Sequence, residues 1–223
     1  MTTIRDIARH LNLSIGAVSR ALDGYPDISA ETRARVQQAA RDLGYVPNRA
    51  ARQLRRQRAD AIGFILPAQT PRFADPFYSE FLAGLGDETA RHRLDLVISS
   101  APAGEEAEQR LYQAWVQGRR VDGVVLNRLR LQDWRVQYMA AAHFPFSSLE
   151  FSRDAVDYPG VAVEGVESTA ALVAHLVKRG FTRLAFIGGP PDLTLTAARL
   201  AGFKEGLQRA GLNLTIGTDS LAS

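Results

Sequence analysis

The stretch DIARHLNLSIGAVSRAL, Asp6 to Leu22, decides how the rest of the chain is read. Two short apolar-patterned segments are separated by only Asn12, Leu13 and Ser14, too little chain for two helices lying side by side. Thr3 followed by Asp6 is a capping-box pattern, and Ile4, Ile7, Ala8 and Leu11 recur behind it at helical intervals, so a first helix is predicted over Ile4–Leu11. Ser14 is suited to cap a second helix, on which Val18, Ala21 and Leu22 share one face and leave Ile15, Gly16, Ser19 and Arg20 on the other. Ser29 opens a third through about Leu43, with Val36, Ala39, Ala40 and Leu43 inward and Gly44 at its end. Three short helices around a small core, the first two joined by a tight turn, make a helix-turn-helix unit.

Composition bounds what surrounds this unit. With 223 residues, 46% of them hydrophobic, the chain can bury a sizeable core in one or two domains. No run approaches the roughly 18 to 20 apolar residues that cross a bilayer, and the N-terminus lacks the apolar segment of a signal peptide, so no membrane partner and a cytoplasmic location are expected. The absence of Cys excludes disulfides and thiolate metal sites. The net charge of +3 is uneven: residues 1–60 hold eleven Arg, no Lys and six Asp or Glu, whereas residues 61–223 hold sixteen Lys or Arg and eighteen Asp or Glu. Charge alone leaves two readings of the basic front, a polyanion-binding head or a solvated helical face.

The motifs then combine. TIRDIARHLNLSIGAVSRAL, ISAETRARVQQAARDLGYVPN and RAARQLR, running from Thr3 to Arg55, together resemble the DNA-binding head and hinge of the LacI/GalR family of bacterial transcription regulators, in the family's order and spacing. The resemblance implies a helix-turn-helix head over 1–46, a hinge helix or linker over 47–59, and an effector-binding and dimerisation body over 60–223, with lobe one at about 60–160 and a partial lobe two at about 161–223. A sharp angle between the first two helices suits docking. The major groove, about 12 Å wide, admits one helix while the other braces across the backbone. The resemblance implies DNA contacts from Thr3, Ser14, Ile15, Gly16, Ala17, Ser19 and Arg20 in the head. Arg20 is the main candidate for base reading, because a guanidinium can donate two hydrogen bonds to guanine. In the hinge it implies contacts from Asn48, Arg49, Ala51, Arg52, Leu54 and Arg55, with Leu54 as a minor-groove wedge; a plain basic linker is the other reading of this arginine-rich stretch.

Beyond Ala61 the pattern alternates. AIGFIL (61–66), LDLVIS (94–99), GVVL (123–126), PFSSL (145–149), GVAV (160–163) and LAFIG (184–188) read as short buried strands. Helical stretches are predicted at about 76–92, 105–117, 131–142, 168–179 and 195–210. The alternation implies parallel sheets covered by helices, with ligands at the carboxyl ends of the strands. The resemblance implies an α/β body like periplasmic sugar-binding proteins, closing on a small effector, usually a sugar. By matching motifs its walls would include Phe77 and Tyr78 from DPFYSEF, Glu150 from SSLEF and Arg199 from TAARLAGF. A core role for the two aromatic residues and a surface-loop role for Glu150 stay open.

The sequence departs from the family pattern at Glu164-Gly165, where Asp-Asn is usual, and at Phe151, where Arg often follows the lobe crossover. Family members also continue for about half as much again, so lobe two is expected to be incomplete at Ser223. No enzyme signature competes. His10, His92, His143 and His175 have no metal-binding spacing, no nucleophile elbow or glycine-rich nucleotide loop occurs, and the prolines of GGPPD at 188–192 remove the N–H groups a phosphate loop would use. That stretch reads as a turn. No cofactor and no metal are expected. The sequence therefore predicts a dimeric transcriptional regulator, a repressor by the family's commoner mode, acting on a pseudo-palindromic double-stranded DNA operator under control of a small effector. The alternative is a sugar-binding protein or fragment with no working effector response.

Overall fold

A computed structural model of the chain describes residues 2–46, 58–67, 76–101 and 103–212. The chain divides into two compact units between Gln57 and Arg58. Except for Arg58 and Ala59, the hinge expected at 47–59 lies outside the described residues.

In the first unit each helix starts at a side chain able to satisfy its free N–H groups or their neighbours. Thr3 is extended before α1 (Ile4–Leu11), and the Asp6 carboxylate accepts its N–H at 2.9 Å and its hydroxyl at 2.7 Å. Those bonds hold the Asp6 carboxyl below its ordinary range. Asn12 ends α1 with a left-handed φ of 53°, a conformation that Asn tolerates better than most residues. Ser14 then accepts the Ala17 N–H at 3.1 Å and starts α2 (Ile15–Leu22), and Ser29 accepts the Thr32 N–H at 3.2 Å and starts α3 (Ala30–Asp42). Ile7, Val18, Ala21 and Val36 are sealed from solvent between the three helices, with Ala39 and Ala40 beside them. Ser19 departs from the expected free face and is buried. It lies roughly 60° around the helix from Leu22, at the border of the packing stripe, so the second turn of α2 carries it inward.

The second unit begins with β1 (Ala61–Leu66), α4 (Pro76–Arg91), β2 (Asp95–Ser100), α5 (Glu105–Gln117), β3 (Gly123–Leu126) and α6 (Trp134–Ala141). β4 (Phe146–Leu149), β5 (Gly160–Val161), α7 (Val166–Lys178) and α8 (Thr194–Arg209) follow. The five strands form one parallel sheet in the order β2-β1-β3-β4-β5, with Ala61 level with Asp95 and Ile62 level with Gly123. Side chains alternate across it. Ala61, Ile65, Val124 and Leu126 meet Tyr112 and Trp115 of α5 and Val136 and Met139 of α6, while Phe64, Leu66 and Val125 meet Tyr78, Phe81 and Leu85 of α4. Both faces are thus covered, which is why these strands read as continuous apolar runs. Gly63 lets Trp115 approach the sheet: a Cβ there would stand 2.2 Å from the indole ring. No helix among the described residues is long and apolar enough to cross a membrane.

The end of this unit departs most from the sequence reading. Residues 184–188 form no strand, because among the described residues nothing pairs with them, and a lone extended segment has no ladder. The strand expected at 160–163 stops at Val161 and joins the edge of the lobe-one sheet through β4. α6 starts three residues later than expected: the Leu131 N–H is used by the Asp192 carbonyl at 2.8 Å, and the helix is capped instead by Asp133. α7 starts two residues early, where the Glu164 carboxylate collects the N–H groups of Val166 (3.2 Å), Glu167 (2.6 Å) and Ser168 (3.2 Å). α7 and α8 pack closely, since a Cβ on Gly202 would fall 2.1 Å from the Val166 carbonyl oxygen.

Candidate DNA-reading face and small-molecule cleft

The inward side of α2 is consumed by Val18 and Ala21, so its outward side is free. Ile15, 47% exposed, stands at the first helical position, Gly16 beside it and Arg20 one turn further on. An apolar side chain so exposed on a helix this short contributes nothing to the head core. A Cβ on Gly16 would meet only the Ser14 hydroxyl oxygen at 3.9 Å, so the fold does not require glycine there. Thr3, at the start of α1, and Ser14, at the start of α2, are exposed, and Ala17 is half-buried. Arg20 is held rather than loose: its Nη1 donates to Oδ2 of Asp27 at 2.9 Å, both side chains half exposed. Asp27 belongs to the turn before α3, where Arg33 donates through Nη2 to the Tyr25 carbonyl at 2.8 Å. The hinge candidates Asn48, Arg49, Ala51, Arg52, Leu54 and Arg55 lie outside the described residues.

In the second unit a cleft of about 250 Å³ opens at the carboxyl ends of β1, β2 and β3. Ile65, Pro67, Ala101, Asn127 and Arg128 come from the strand ends, Glu105 and Glu108 from α5, and Pro190, Asp192 and Leu193 from the turn before α8. That turn is tied down by the antiparallel bridge of Arg130 with Leu193 and by the Thr194 N–H on the Leu129 carbonyl at 2.9 Å. The GGPPD stretch is thus a turn that walls the cleft.

At the cleft floor lies a buried ionic cluster, of which Glu108, Arg130 and Arg135 line the cleft. Arg135 donates to both oxygens of Asp133, from Nε at 2.9 Å and from Nη2 at 2.7 Å, and also to the carbonyls of Asn127 and Arg128, both at 3.1 Å. Glu108 accepts from Arg130 at 3.0 Å and lies 3.6 Å from Arg135. Burial alone would raise the Asp133 pKa, but the forked bond and charge of Arg135 outweigh it and hold the carboxyl below its ordinary range. The Arg135 pKa is raised, because Tyr112, Asp133 and Glu108 outweigh its burial.

The expected effector residues are not brought together in this cleft. Tyr78 is 4% exposed and packs on Phe64 and Phe81, a core position. Phe77 is 53% exposed and stacks on Phe81, ring centroids 5.8 Å apart. Glu150 is not a lining residue of the cleft either. Its carboxylate accepts the Thr194 hydroxyl and the Leu195 N–H and feels the charges of Arg199 and Arg128, the latter a cleft residue. Burial nevertheless raises its pKa above the ordinary Glu range. Its φ of 94° is a conformation that a side chain other than glycine's adopts only under strain. Asn127, Arg130, Arg135 and Asp133 escaped the sequence reading. The NRLR stretch at 127–130, directly after a buried strand, was the visible signal for Asn127 and Arg130.

Comparison with known proteins matches two family models in succession along the chain. The family model for bacterial regulatory proteins of the lacI family matches residues 3–48, and that for periplasmic binding proteins and the sugar binding domain of the LacI family matches residues 49–221. The HTH-type transcriptional regulator AglR of Rhizobium meliloti (strain 1021) is 38% identical over 216 residues, covering 95% of this chain and 59% of that protein. The regulator CelR of Thermobifida fusca is 31% identical, covering 94% and 62%. Among solved structures, the lac repressor dimer bound to operator and the anti-inducer ONPF superposes with a TM-score of 0.76 at 27% identity, covering 95% of this chain and 63% of that one. A CelR–cellobiose complex superposes with a TM-score of 0.61 at 27% identity, covering 96% and 64%. The chain thus spans about six tenths of the length of the relatives it matches.

Proposed function

The chain belongs to the lacI family of bacterial regulatory proteins, and on that premise we propose that it is a sequence-specific DNA-binding regulator of transcription. It acts as a repressor whose hold on its operator is set by a small effector such as a sugar. The observation that carries the reading is α2, whose inward face builds the head core while Ile15, Gly16 and Arg20 stand outward with no part in it. Arg20 donates to guanine, Ile15 touches a thymine methyl, and Gly16 leaves room for a base edge; Thr3, Ser14 and Ala17 flank them along the backbone. Ser19, being buried, is left out of this set. The hinge residues Asn48, Arg49, Ala51, Arg52, Leu54 and Arg55 complete the DNA contacts, with Leu54 as the wedge.

A homodimer reads two half-sites of a pseudo-palindrome, in the manner of the lac repressor dimer bound to operator. The effector sits in the cleft over Asn127, Arg128 and Arg130, with Glu150 and Arg199 beside it and Phe77 towards the lobe-one rim. The strained backbone of Glu150 and its contact with Thr194, at the start of α8, make it the residue that senses closure. We assign the chain no catalytic step, since the acids and bases of the cleft floor are spent on one another, and we place it in the cytoplasm with the DNA it regulates.

The test is a selection from randomised duplexes, followed by binding to the winning site with and without a panel of mono- and disaccharides. A palindromic consensus with one guanine per half-site, weakened or strengthened by one sugar class, is the expected result. No enriched sequence would remove the proposal.

A further inference from the structure

We propose that Asp27 is a positioning residue for Arg20, fixing the guanidinium so that its remaining edge meets one guanine; this rests on the DNA-reading role given to Arg20 above. The two residues are seven apart, so the pair spans the turn between α2 and α3 and is not a neighbour pair along one helix. Asp27 is placed by a turn tied at several points. Gly24, with φ of +76°, lets the chain reverse after α2, and the Tyr25 N–H returns to the Arg20 carbonyl at 3.0 Å. The Ile28 N–H reaches the Tyr25 carbonyl at 3.4 Å, and Arg33 of α3 spans the carbonyls of Tyr25 at 2.8 Å and Ile28 at 3.3 Å. Ile28 itself is packed against the head core. The carboxylate is therefore presented from a defined place.

The geometry leaves Arg20 able to read. A guanidinium carries five N–H donors, and Asp27 is bonded through Nη1. The Nε–Nη2 edge remains, and it carries the parallel pair of donors that matches guanine O6 and N7. A long, rotatable side chain otherwise loses its rotamer freedom on docking, and a clamp applied beforehand reduces that loss. The same bond neutralises a carboxylate that would otherwise face the phosphates uncompensated. An exposed ion pair of this kind adds little to the stability of the head, so its effect is expected in selectivity.

The test uses the 223-residue chain and its selected operator, with the Asp27→Asn, Asp27→Ala, Asp27→Glu and Arg20→Ala variants and the Asp27→Ala/Arg20→Ala double variant. Thermal unfolding of each serves as the folding control; Asn keeps the shape of Asp should Ala perturb the turn. Asp27→Ala and Asp27→Asn are expected to reduce the preference for guanine at one position per half-site by about three- to tenfold, with Asp27→Glu restoring part of it. In the Arg20→Ala background the Asp27 change is expected to have no further effect on that preference. If Arg20→Ala relaxes the guanine requirement and the Asp27 variants do not, the positioning role falls while the reading role of Arg20 stands. Tighter binding to all DNA with guanine preference intact reduces Asp27 to a source of repulsion, and a changed preference at another base pair makes it a reader in its own right; either overturns the proposal. If Arg20→Ala changes no base preference, both readings fall together.

Discussion

The two units put function in opposite relations to stability. In the first, Ile15, Gly16 and Arg20 are close in sequence, stand on the outside of one helix, and lie off a core made of Ile7, Val18, Ala21 and Val36. In the second, the cleft draws on β1, β3, α5 and the turn before α8, and at its floor the buried Asp133–Arg135–Glu108 cluster joins α5, the start of α6 and the segment after β3. A surface that reads DNA can change its residues at little cost to folding. A cleft roofed over an ionic cluster cannot, because whatever alters the site also alters the packing beneath it.

The strongest way to break the comparison is to remove one charge from the cluster. Asp133→Asn leaves Arg135 buried without its main partner and is expected to destabilise the body by about 3–5 kcal/mol. Because Asp133 is held below its ordinary value, its contribution is present above the ordinary Asp range and is lost as pH falls through the depressed value. Chemical unfolding from neutral to acid pH checks both parts: the gap between parent and variant should be constant near neutrality and close only in acid. A gap of under 1 kcal/mol at neutral pH would mean that the cluster is not an integral part of the floor.

Two glycines sharpen the contrast. Gly63→Ala drives a methyl into the Trp115 ring, 2.2 Å away, and is expected to cost about 1–3 kcal/mol in denaturant unfolding. Gly16→Ala meets nothing closer than 3.9 Å and gains helix propensity, so the head should become more stable by about 0.5–1 kcal/mol. The same substitution should weaken operator binding, which a titration with the selected duplex would measure. Unchanged affinity would mean that no base edge approaches Gly16.

The smallest effect is expected at Glu150. Its pKa is raised, so its contribution is fully present below the ordinary Glu range and is lost as pH rises through the raised value, the reverse of Asp133. Glu150→Gln should therefore shift Tm by less than about 2 °C at neutral pH, with the parent gaining on the variant as the medium is acidified. A melting series over pH that runs the other way would show that Thr194 and the nearby arginines outweigh burial at this carboxylate.

What the sequence determined by itself was the local order. Caps at Thr3, Ser14 and Ser29, the spacing of Ile7, Val18 and Val36, and the apolar runs of β1 and β3 place helices and strands because capping and periodicity act within a few residues along the chain. The outward face of α2 was legible for the same reason, apart from Ser19 at its border. Tertiary structure decided what depends on neighbours distant in sequence. A strand at 184–188 needs a pairing partner that the described residues do not supply, and Tyr78 belongs to the core because Phe64 and Phe81 meet it there. The cleft floor took shape only when Glu108 of α5 met Asp133 and Arg135 at the start of α6, and the clamp on Arg20 only when the turn brought Asp27 back across α2. Charges have no periodicity that reveals their partners. Their pairing follows from the fold, where burial makes an unpaired charge costly and so selects the geometry that satisfies it.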